Sequence, residues 1–360
     1  MTLHTLHVLG YRSARDVRLR LESINVLVGP NGCGKSNLYR GLSLLAAAAE
    51  GRLAGALADE GGMPSVLWAG PRAKGPVRMV LAVEFDDFGY ELACGIIPPA
   101  LLRGGSAFDL DPHVKEERIW MKSGRKQVDL LNRSNATAHA RDADGNRVTF
   151  PLSFSESESV LSELREPHRF PVVSAIREEF RSWRFYHGFR TDADSPLRHA
   201  RTGVRTPVLS PDGRDLAAAL RTIMEIGDAP ALAEAVDRAF PGASLHIEYD
   251  QARFSLALAT PEFIRPFDAR ELSDGTLHYL CLLAALLSPR PPTLLALNEP
   301  EASLHPDLIE PLAHLLAKAS KHSRLWITTH STELAGHVER LTGIASIALQ
   351  KVDGETRLKS

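Results

Sequence analysis

The eight residues from Gly29 to Ser36, with the sequence Gly-Pro-Asn-Gly-Cys-Gly-Lys-Ser, constrain the fold of this chain more than any other segment. They match the pattern G-x-x-x-x-G-K-[ST] at every fixed position. An apolar stretch from Ile24 to Val28 precedes them and predicts a buried strand, and a helical pattern follows from Lys35 to Glu50. A strand, a glycine-rich loop and a helix in this order predict an α/β protein with a phosphate-binding loop, the P-loop.

The chemistry of this loop follows from its residue types. Its glycines let successive main-chain N–H groups turn towards phosphate oxygens, and the next helix adds the positive end of its dipole. Lys35 is expected to reach the β- and γ-phosphates of a nucleotide, and the Ser36 hydroxyl to bind Mg²⁺. The expected nucleotide contacts here are Gly29, Asn31, Gly32, Cys33, Gly34, Lys35, Ser36 and Asn37. The alternative is a glycine-rich turn that matches the pattern by chance.

Four segments further along the chain indicate which class of P-loop protein this sequence encodes. The first is Glu271 to Thr276 (Glu-Leu-Ser-Asp-Gly-Thr), which precedes a long apolar helix. The second is the hydrophobic strand Thr293 to Leu297, which runs into Asn298 to Glu301 (Asn-Glu-Pro-Glu). The third is Ala302 to Pro306, and the fourth is Trp326 to Ser331, a strand that ends in a histidine.

In this order the segments resemble the motifs of ABC-type ATPase heads in the branch that holds RecF, SMC and OLD-like proteins. The chain is most similar to the stand-alone bacterial AAA family ATPases of the RecF-like group, which Tyr11-Arg12-Ser13 before the strand Val17 to Leu21 also matches. The resemblance implies an ABC-ATPase-like P-loop fold: a mixed β-sheet core, a helical signature lobe and an inserted β-rich segment. It also implies ATP and Mg²⁺ as ligands, and ATP hydrolysis in DNA repair and maintenance or in anti-phage defence.

The resemblance assigns catalytic roles to Glu299, His330 and Lys35. Glu299 would orient or deprotonate the attacking water, and His330 would contact the γ-phosphate and sense its loss. Lys35 would hold the phosphates. The alternatives are a surface carboxylate and a satisfied histidine, each at the end of a strand.

The same resemblance implies a homodimer across ATP. Ser273 and Gly275 would cap the nucleotide of a second subunit, with the dipole of the following helix aimed at the γ-phosphate. Either Ser273 or Asp274 would equally serve as an ordinary helix N-cap. Arg12 would lie near the nucleotide; the alternative is a surface arginine.

Asn298 departs from the family, which usually places an acid at this position. Ser36 and Asn298 are the expected Mg²⁺ ligands, and an amide brings no negative charge, so we expect weaker metal binding and slow turnover. One alternative is a nucleotide-binding regulatory subunit with little hydrolysis that controls a separate effector. A transporter ATP-binding subunit is less favoured because the Leu-Ser-Gly-Gly-Gln signature is absent. Since only 30 residues follow His330, any nuclease activity is expected to reside in a separate protein.

The motifs also predict the domain organisation. The P-loop and the strand near residue 295 must share one nucleotide, so the chain is expected to form a single split ATPase domain. Its parts are an N-terminal lobe with the P-loop (1–97), a β-rich insertion or linker (98–170), a helical lobe with the signature motif (171–290) and the C-terminal part of the core (291–360). Within the insertion, residues from about 98 to 150 predict an antiparallel meander.

The charge balance excludes a uniformly basic nucleic-acid binder, because 42 Lys and Arg oppose 44 Asp and Glu for a net charge of -2. Any nucleic-acid contact must therefore come from a local basic patch. Residues 165–205 hold nine arginines interleaved with aromatic residues, among them Trp183 and Tyr186. They predict nucleic-acid contact or, alternatively, a packed helical segment with a solvated charged face. Within this segment a helix is expected over Arg177 to Phe185. No targeting segment or membrane-spanning run is recognisable, and the three cysteines lack metal-ligand spacing, so we expect a cytoplasmic protein without membrane contact.

Overall fold

A computed structural model describes residues 1–71, 77–96, 107–108, 110–124, 126–150 and 154–359. The chain divides into two compact units. Unit 1 comprises Met1–Glu22, Gly29–Trp183 and Ala348–Ser360, and unit 2 comprises Ser23–Val28 and Arg184–Ile347. The chain therefore passes from unit 2 into unit 1 at the peptide bond where the P-loop begins.

Unit 1 is built on an antiparallel sheet whose described strands follow the order β2-β1-β4-β5-β6-β7-β8-β9. The strands are β1 (Thr5–Tyr11), β2 (Ala14–Arg20), β4 (Arg78–Glu84), β5 (Phe88–Gly95), β6 (His113–Ser123), β7 (Lys126–Ser134), β8 (Thr137–Arg141) and β9 (Arg147–Phe150). The last four pair with their neighbours in chain order, so the predicted meander is confirmed for the described residues. The predicted start of the insertion, residue 98, lies outside them.

The helices of unit 1 and a C-terminal hairpin complete that unit. They are α1 (Lys35–Glu50), α2 (Leu53–Asp59), α3 (Met63–Val66), α4 (Val160–Glu163), α5 (Pro171–Ser182), and the strands β17 (Ile347–Val352) and β18 (Glu355–Leu358). Helix α1 has the predicted bounds, because it buries Leu38, Leu42 and Leu45 on one face and ends where Gly51 adopts a left-handed conformation with φ of 72°.

Unit 2 contains a parallel sheet with the strand order β10-β15-β16-β3. Its strands are β10 (Arg184–Tyr186), β15 (Leu294–Asn298), β16 (Arg324–Thr329) and β3 (Ile24–Val28). Asn298 pairs with Thr328, and Thr329 pairs with Val28. Because these strands are parallel, the residues that follow them leave the sheet at one common edge.

A small antiparallel sheet and five described helices surround this parallel sheet. They are β11 (Arg201–Thr202), β12 (Ser244–Asp250), β13 (Arg253–Ala259), β14 (Phe267–Asp268), α6 (Leu216–Ile226), α7 (Ala229–Ala239), α8 (Asp274–Leu286), α9 (Ile309–Ala319) and α10 (Thr332–Thr342). Helix α8 is buried at every position from Leu277 to Leu286, as its continuous apolar sequence indicates. Its apolar side chains belong to the hydrophobic core of unit 2.

The predicted helix over Arg177 to Phe185 is wrong at its C-terminal end. Helix α5 ends at Ser182, and the next residues form β10, in which Arg184 pairs with Leu295. The main-chain hydrogen bonds of the parallel sheet therefore outweigh the local helical preference. Among the described residues, no helix combines the length and the apolar character that a membrane crossing demands.

Candidate functional site

The P-loop in unit 1 requires its glycines. Gly29, Gly32 and Gly34 have φ values of 156°, 74° and 107°, which side-chain-bearing residues rarely adopt. A Cβ at Gly34 would lie 1.9 Å from Oγ1 of Thr356, and one at Gly29 would lie 2.4 Å from the carbonyl oxygen of Leu349. The hairpin formed by β17 and β18 therefore packs directly against the loop.

Lys35 occupies the first position of α1 and is buried. Its ammonium donates hydrogen bonds to the carbonyl oxygens of Gly29, at 2.6 Å, and Pro30, at 3.3 Å. The charge thus lies inside the curve of the loop, where a phosphate-binding lysine belongs. Ser36 and Asn31 are exposed and Cys33 is buried.

Asn37 has a bracing contact that the sequence did not predict. Its Nδ2 donates to Ser13 Oγ at 2.7 Å, and that hydroxyl also bonds to Thr356 Oγ1 at 2.8 Å. This chain of contacts joins the turn between β1 and β2 to the first turn of α1 and to β18. The side chain of Asn37 therefore stabilises the position of the first turn of α1, which directly follows the P-loop.

Arg12 is held by an acid that sequence reasoning missed. Its Nη2 lies 3.0 Å from Glu60 Oε2 and donates to the Glu60 carbonyl at 3.2 Å. Tyr11 also donates its hydroxyl to Glu60, and burial, reinforced by that carboxylate, raises the pKa of this phenol. Nε of Arg12 is buried and has no hydrogen-bond partner among the described residues. The left-handed conformation of Arg12, with φ of 48°, adds strain to this turn.

In unit 2 the parallel register brings together two of the predicted catalytic residues. Glu299 follows β15 and His330 follows β16, and Glu299 Oε1 lies 2.7 Å from His330 Nε2. Both side chains remain more than a third exposed, so they are accessible to substrate. Glu299 has φ of 49°, and its main-chain N–H donates to the carbonyl of Thr328 at 2.8 Å.

Asn298, the residue in place of the usual acid, has a fixed orientation. Its Oδ1 accepts a hydrogen bond of 2.8 Å from Thr328 Oγ1. One lone pair of this oxygen is therefore engaged, and the other is available to a metal-bound water. The described residues contain no group of three or more His, Cys, Asp or Glu side chains placed to hold a metal ion.

Glu301 is a second carboxylate in the same turn, and the sequence motifs predict no role for it. Its Oε1 accepts hydrogen bonds from Thr329 Oγ1, from the N–H of His330 at 3.1 Å and from the N–H of Ser331 at 3.3 Å. The only sequence signal was its position two residues after Glu299.

The signature segment begins α8. Ser273 is the N-cap, and its Oγ accepts from the N–H of Thr276 at 3.1 Å. A Cβ at Gly275 would lie 2.6 Å from the carbonyl oxygen of Ser303. Ser273, Gly275 and Ser303 line one open groove. The N-cap role is thus observed, and it leaves the groove side of this segment accessible.

Arg198 secures the signature segment and was not predicted to do so. Its guanidinium is largely buried and lies 2.6 Å from Asp274 Oδ1. It also donates to the main-chain carbonyls of Ala269, Arg270 and Leu272 at 3.0, 3.3 and 2.7 Å. Because these acceptors lie more than 70 residues away in the sequence, no local pattern could reveal the contact.

Two aromatic residues of the arginine-rich segment, Trp183 and Tyr186, are buried in the protein. Trp183 donates its Nε1–H to Glu179 at 3.2 Å, and Tyr186 donates its hydroxyl to the Leu209 carbonyl at 2.8 Å. Both rings are buried, so neither can stack on a nucleic-acid base. Arg198 is likewise committed to the signature segment.

Comparisons with known proteins place the chain among nucleotide-binding domains. A family model described as "AAA domain, putative AbiEii toxin, Type IV TA system" matches residues 24–336. A solved SMC head bound to the C-winged helix domain of ScpA is similar with a TM-score of 0.55 and 14% identity, over 100% of this chain and 98% of that one. The SMC head domain with an extended coiled coil bound to the C-terminal domain of ScpA, derived from Pyrococcus furiosus, gives a TM-score of 0.54 and 13% identity, over 99% and 96%. No curated protein matches. At these identities the structural likeness shows the fold.

Proposed function

Because this chain belongs to that AAA-domain family and has the fold of an SMC-like ATPase head, we propose that it binds ATP·Mg²⁺ at the P-loop and hydrolyses the nucleotide with Glu299 as the catalytic base. The observation that carries the proposal is the 2.7 Å contact between Glu299 and His330. It lies at the sheet edge where Val28 ends the strand that leads into the P-loop.

Each residue has a role that follows from its chemistry. The Glu299 carboxylate accepts a proton from the attacking water, and His330 donates a hydrogen bond to the γ-phosphate. Lys35 releases its loop carbonyls and turns its ammonium to the phosphates, while the loop N–H groups hold their oxygens. The exposed Ser36 hydroxyl and Asn298 Oδ1 would hold the hydrated Mg²⁺, which neutralises charge on the phosphates. Since Asn298 adds no negative charge, turnover is slow.

ATP binding is tested by titrating the protein with a fluorescent ATP analogue in Mg²⁺. Wild type is expected to bind, and Lys35→Ala to lose at least about tenfold in affinity, because one charge-assisted contact is worth roughly 1.5–3 kcal/mol. Lys318→Ala is the control, since that ammonium contacts Asp228 at 3.6 Å in unit 2. Equal binding by wild type and Lys35→Ala would exclude the P-loop as the nucleotide site.

We further propose a homodimer in which Ser273 and Gly275 cap the ATP of the second subunit. The accessible groove beside these residues and the rigid anchoring by Arg198 support this role. Light scattering with ATP·Mg²⁺ tests it: the mass of Glu299→Gln should double, and Ser273→Arg in that background should remain a monomer. A monomeric Glu299→Gln protein with bound ATP would contradict the dimer.

A regulatory subunit with little hydrolysis is the second candidate, and Asn298 favours it because an amide binds Mg²⁺ more weakly than a carboxylate does. Restoring the acid distinguishes the two. If Asn298→Asp raises turnover by about tenfold or more, the wild-type residue limits an active ATPase. Absence of hydrolysis in both proteins, with ATP bound, would favour regulation of a separate effector or nuclease.

From the resemblance to RecF-like heads, we propose DNA repair and maintenance or anti-phage defence as the process that this ATPase serves. The remaining exposed arginines of residues 165–205 are the candidate nucleic-acid contacts. Measuring ATP turnover with and without DNA tests this surface. Loss of DNA stimulation in Arg181→Ala, with basal turnover retained, would place DNA there. No DNA effect on wild type would favour a protein effector.

A further inference from the structure

The Glu301 carboxylate accepts hydrogen bonds from the main chain of two consecutive residues, His330 and Ser331. One oxygen, Oε1, accepts from the N–H groups of both residues and from the hydroxyl of Thr329. Ser331 is the N-cap of α10, so these two amides lie at the turn where β16 passes into that helix. A single carboxylate oxygen therefore fixes the course of the chain through the histidine.

The imidazole of the same histidine contacts Glu299, which lies two residues before Glu301 in the same turn. Pro300 separates the two acids, and its ring restricts the backbone between them. The Pro300 carbonyl is itself held by His278 Nε2 at 3.1 Å. One rigid turn thus contacts the histidine twice, at its side chain through Glu299 and at its main chain through Glu301.

We propose that Glu301 is a positioning residue that sets the distance between the His330 imidazole and the Glu299 carboxylate. This inference rests on the proposed ATP hydrolysis, in which both groups act on the γ-phosphate and the attacking water. Glu301 acts through His330 and touches no substrate. A displacement of about 1 Å at such a group can lower a rate by about 100-fold.

The second carboxylate oxygen of Glu301 makes it possible to distinguish a positioning role of this residue from a role of its negative charge. Oε2 is buried and has no hydrogen-bond partner among the described residues. In Glu301→Gln the amide oxygen can take the place of Oε1 and keep its three donors, while the NH₂ group replaces the oxygen that accepts nothing. Glutamine should therefore retain the function. Alanine removes the acceptor and leaves three donors unsatisfied.

Steady-state ATP turnover and ATP affinity give the first measurement. Glu301→Ala should lower kcat by about 10–100-fold with the Kd for ATP changed less than about threefold, as expected for a supporting residue behind a catalytic group. Glu301→Gln should stay within about threefold of wild type. Glu333→Ala, on the exposed face of the first turn of α10, is the matched control. Equal inactivity of the Gln and Ala variants would overturn the proposal in favour of a charge role, and full activity of Glu301→Ala would overturn it outright.

A second measurement is independent of hydrolysis. The side-chain NMR signal of His330, identified by its loss in His330→Asn, should move in Glu301→Ala and stay in place in Glu301→Gln and Glu333→Ala. If wild type hydrolyses no ATP, the proposed function fails while this signal still decides the positioning role. If Glu301→Ala does not fold, Thr329→Val removes one of the three donors and should shift the same signal to a lesser degree. An unmoved His330 signal in the folded variant contradicts the inference.

Discussion

The Nε2–H group of His278 donates a hydrogen bond of 3.1 Å to the carbonyl oxygen of Pro300. A carbonyl can only accept, so the contact fixes the tautomer of this neutral imidazole. His278 lies on α8, five residues after the N-cap Ser273, and Pro300 directly follows Glu299. The signature helix and the proposed catalytic turn are thus joined by one hydrogen bond within unit 2.

This contact predicts an acid-sensitive fold. Burial lowers the pKa of His278 below its ordinary value, so the unfolded chain takes up a proton there before the folded chain does. The free energy of unfolding should therefore fall as the pH drops below about 6.5. Urea unfolding between pH 8 and pH 5.5 measures the slope, which His278→Gln should flatten. His322→Gln is the control because that imidazole is exposed. Equal slopes in all three proteins would exclude His278 as the titrating group.

Replacing Arg198 should loosen the signature segment. Arg198→Ala removes the donor for five main-chain carbonyls, three of them in this segment, and the partner of Asp274. Unsatisfied groups of this kind cost about 1–3 kcal/mol each when buried. Amide hydrogen exchange over residues 269–276 should accelerate, and the free energy of unfolding should fall. Arg201→Ala, at an exposed position of β11, serves as control. Unchanged exchange in Arg198→Ala would show that the segment is held by other contacts.

Gly275 and Gly336 are both helical glycines, and they should respond in opposite directions to alanine. At Gly275 the added Cβ would lie 2.6 Å from the carbonyl oxygen of Ser303, whereas at Gly336 the nearest neighbour is the flexible Arg340 Nη1 at 3.5 Å. We expect Gly275→Ala to destabilise the fold by about 1–3 kcal/mol. Gly336→Ala should stabilise α10 by up to about 1 kcal/mol through helix propensity. Thermal unfolding of the two variants and of wild type measures these changes in stability. A Gly275→Ala protein as stable as wild type would mean that the turn at Ser303 moves to accommodate the added Cβ.

The parts of the fold that were predictable depend on local patterns. The P-loop, α1 and the strand before it follow from fixed glycine spacing and from continuous or periodic apolar residues. The apolar runs of β15 and β16 likewise predicted strands that end near Glu299 and His330, and the family resemblance assigned those two residues their catalytic roles.

The parts that were missed depend on contacts between distant residues. The three residues of β10 carry no strand pattern, and only pairing with β15 makes them a strand. Arg198 reads as one of nine arginines in a basic segment, and its carbonyl partners are invisible in a sequence. Glu301 follows Pro300 in a motif whose catalytic role was predicted for Glu299 alone. Its role as a hydrogen-bond acceptor depends on residues about 30 positions later in the chain, which no local pattern indicates.

Turnover of γ-labelled ATP by wild type and Glu299→Gln, at saturating ATP·Mg²⁺, shows whether Glu299 activates water for ATP hydrolysis. Glutamine preserves size and hydrogen bonding to His330 but cannot take a proton. Wild type should release phosphate, and Glu299→Gln should do so about 10²–10⁴ times more slowly while it still binds ATP. Equal rates of phosphate release from the two proteins would exclude Glu299 as the catalytic base.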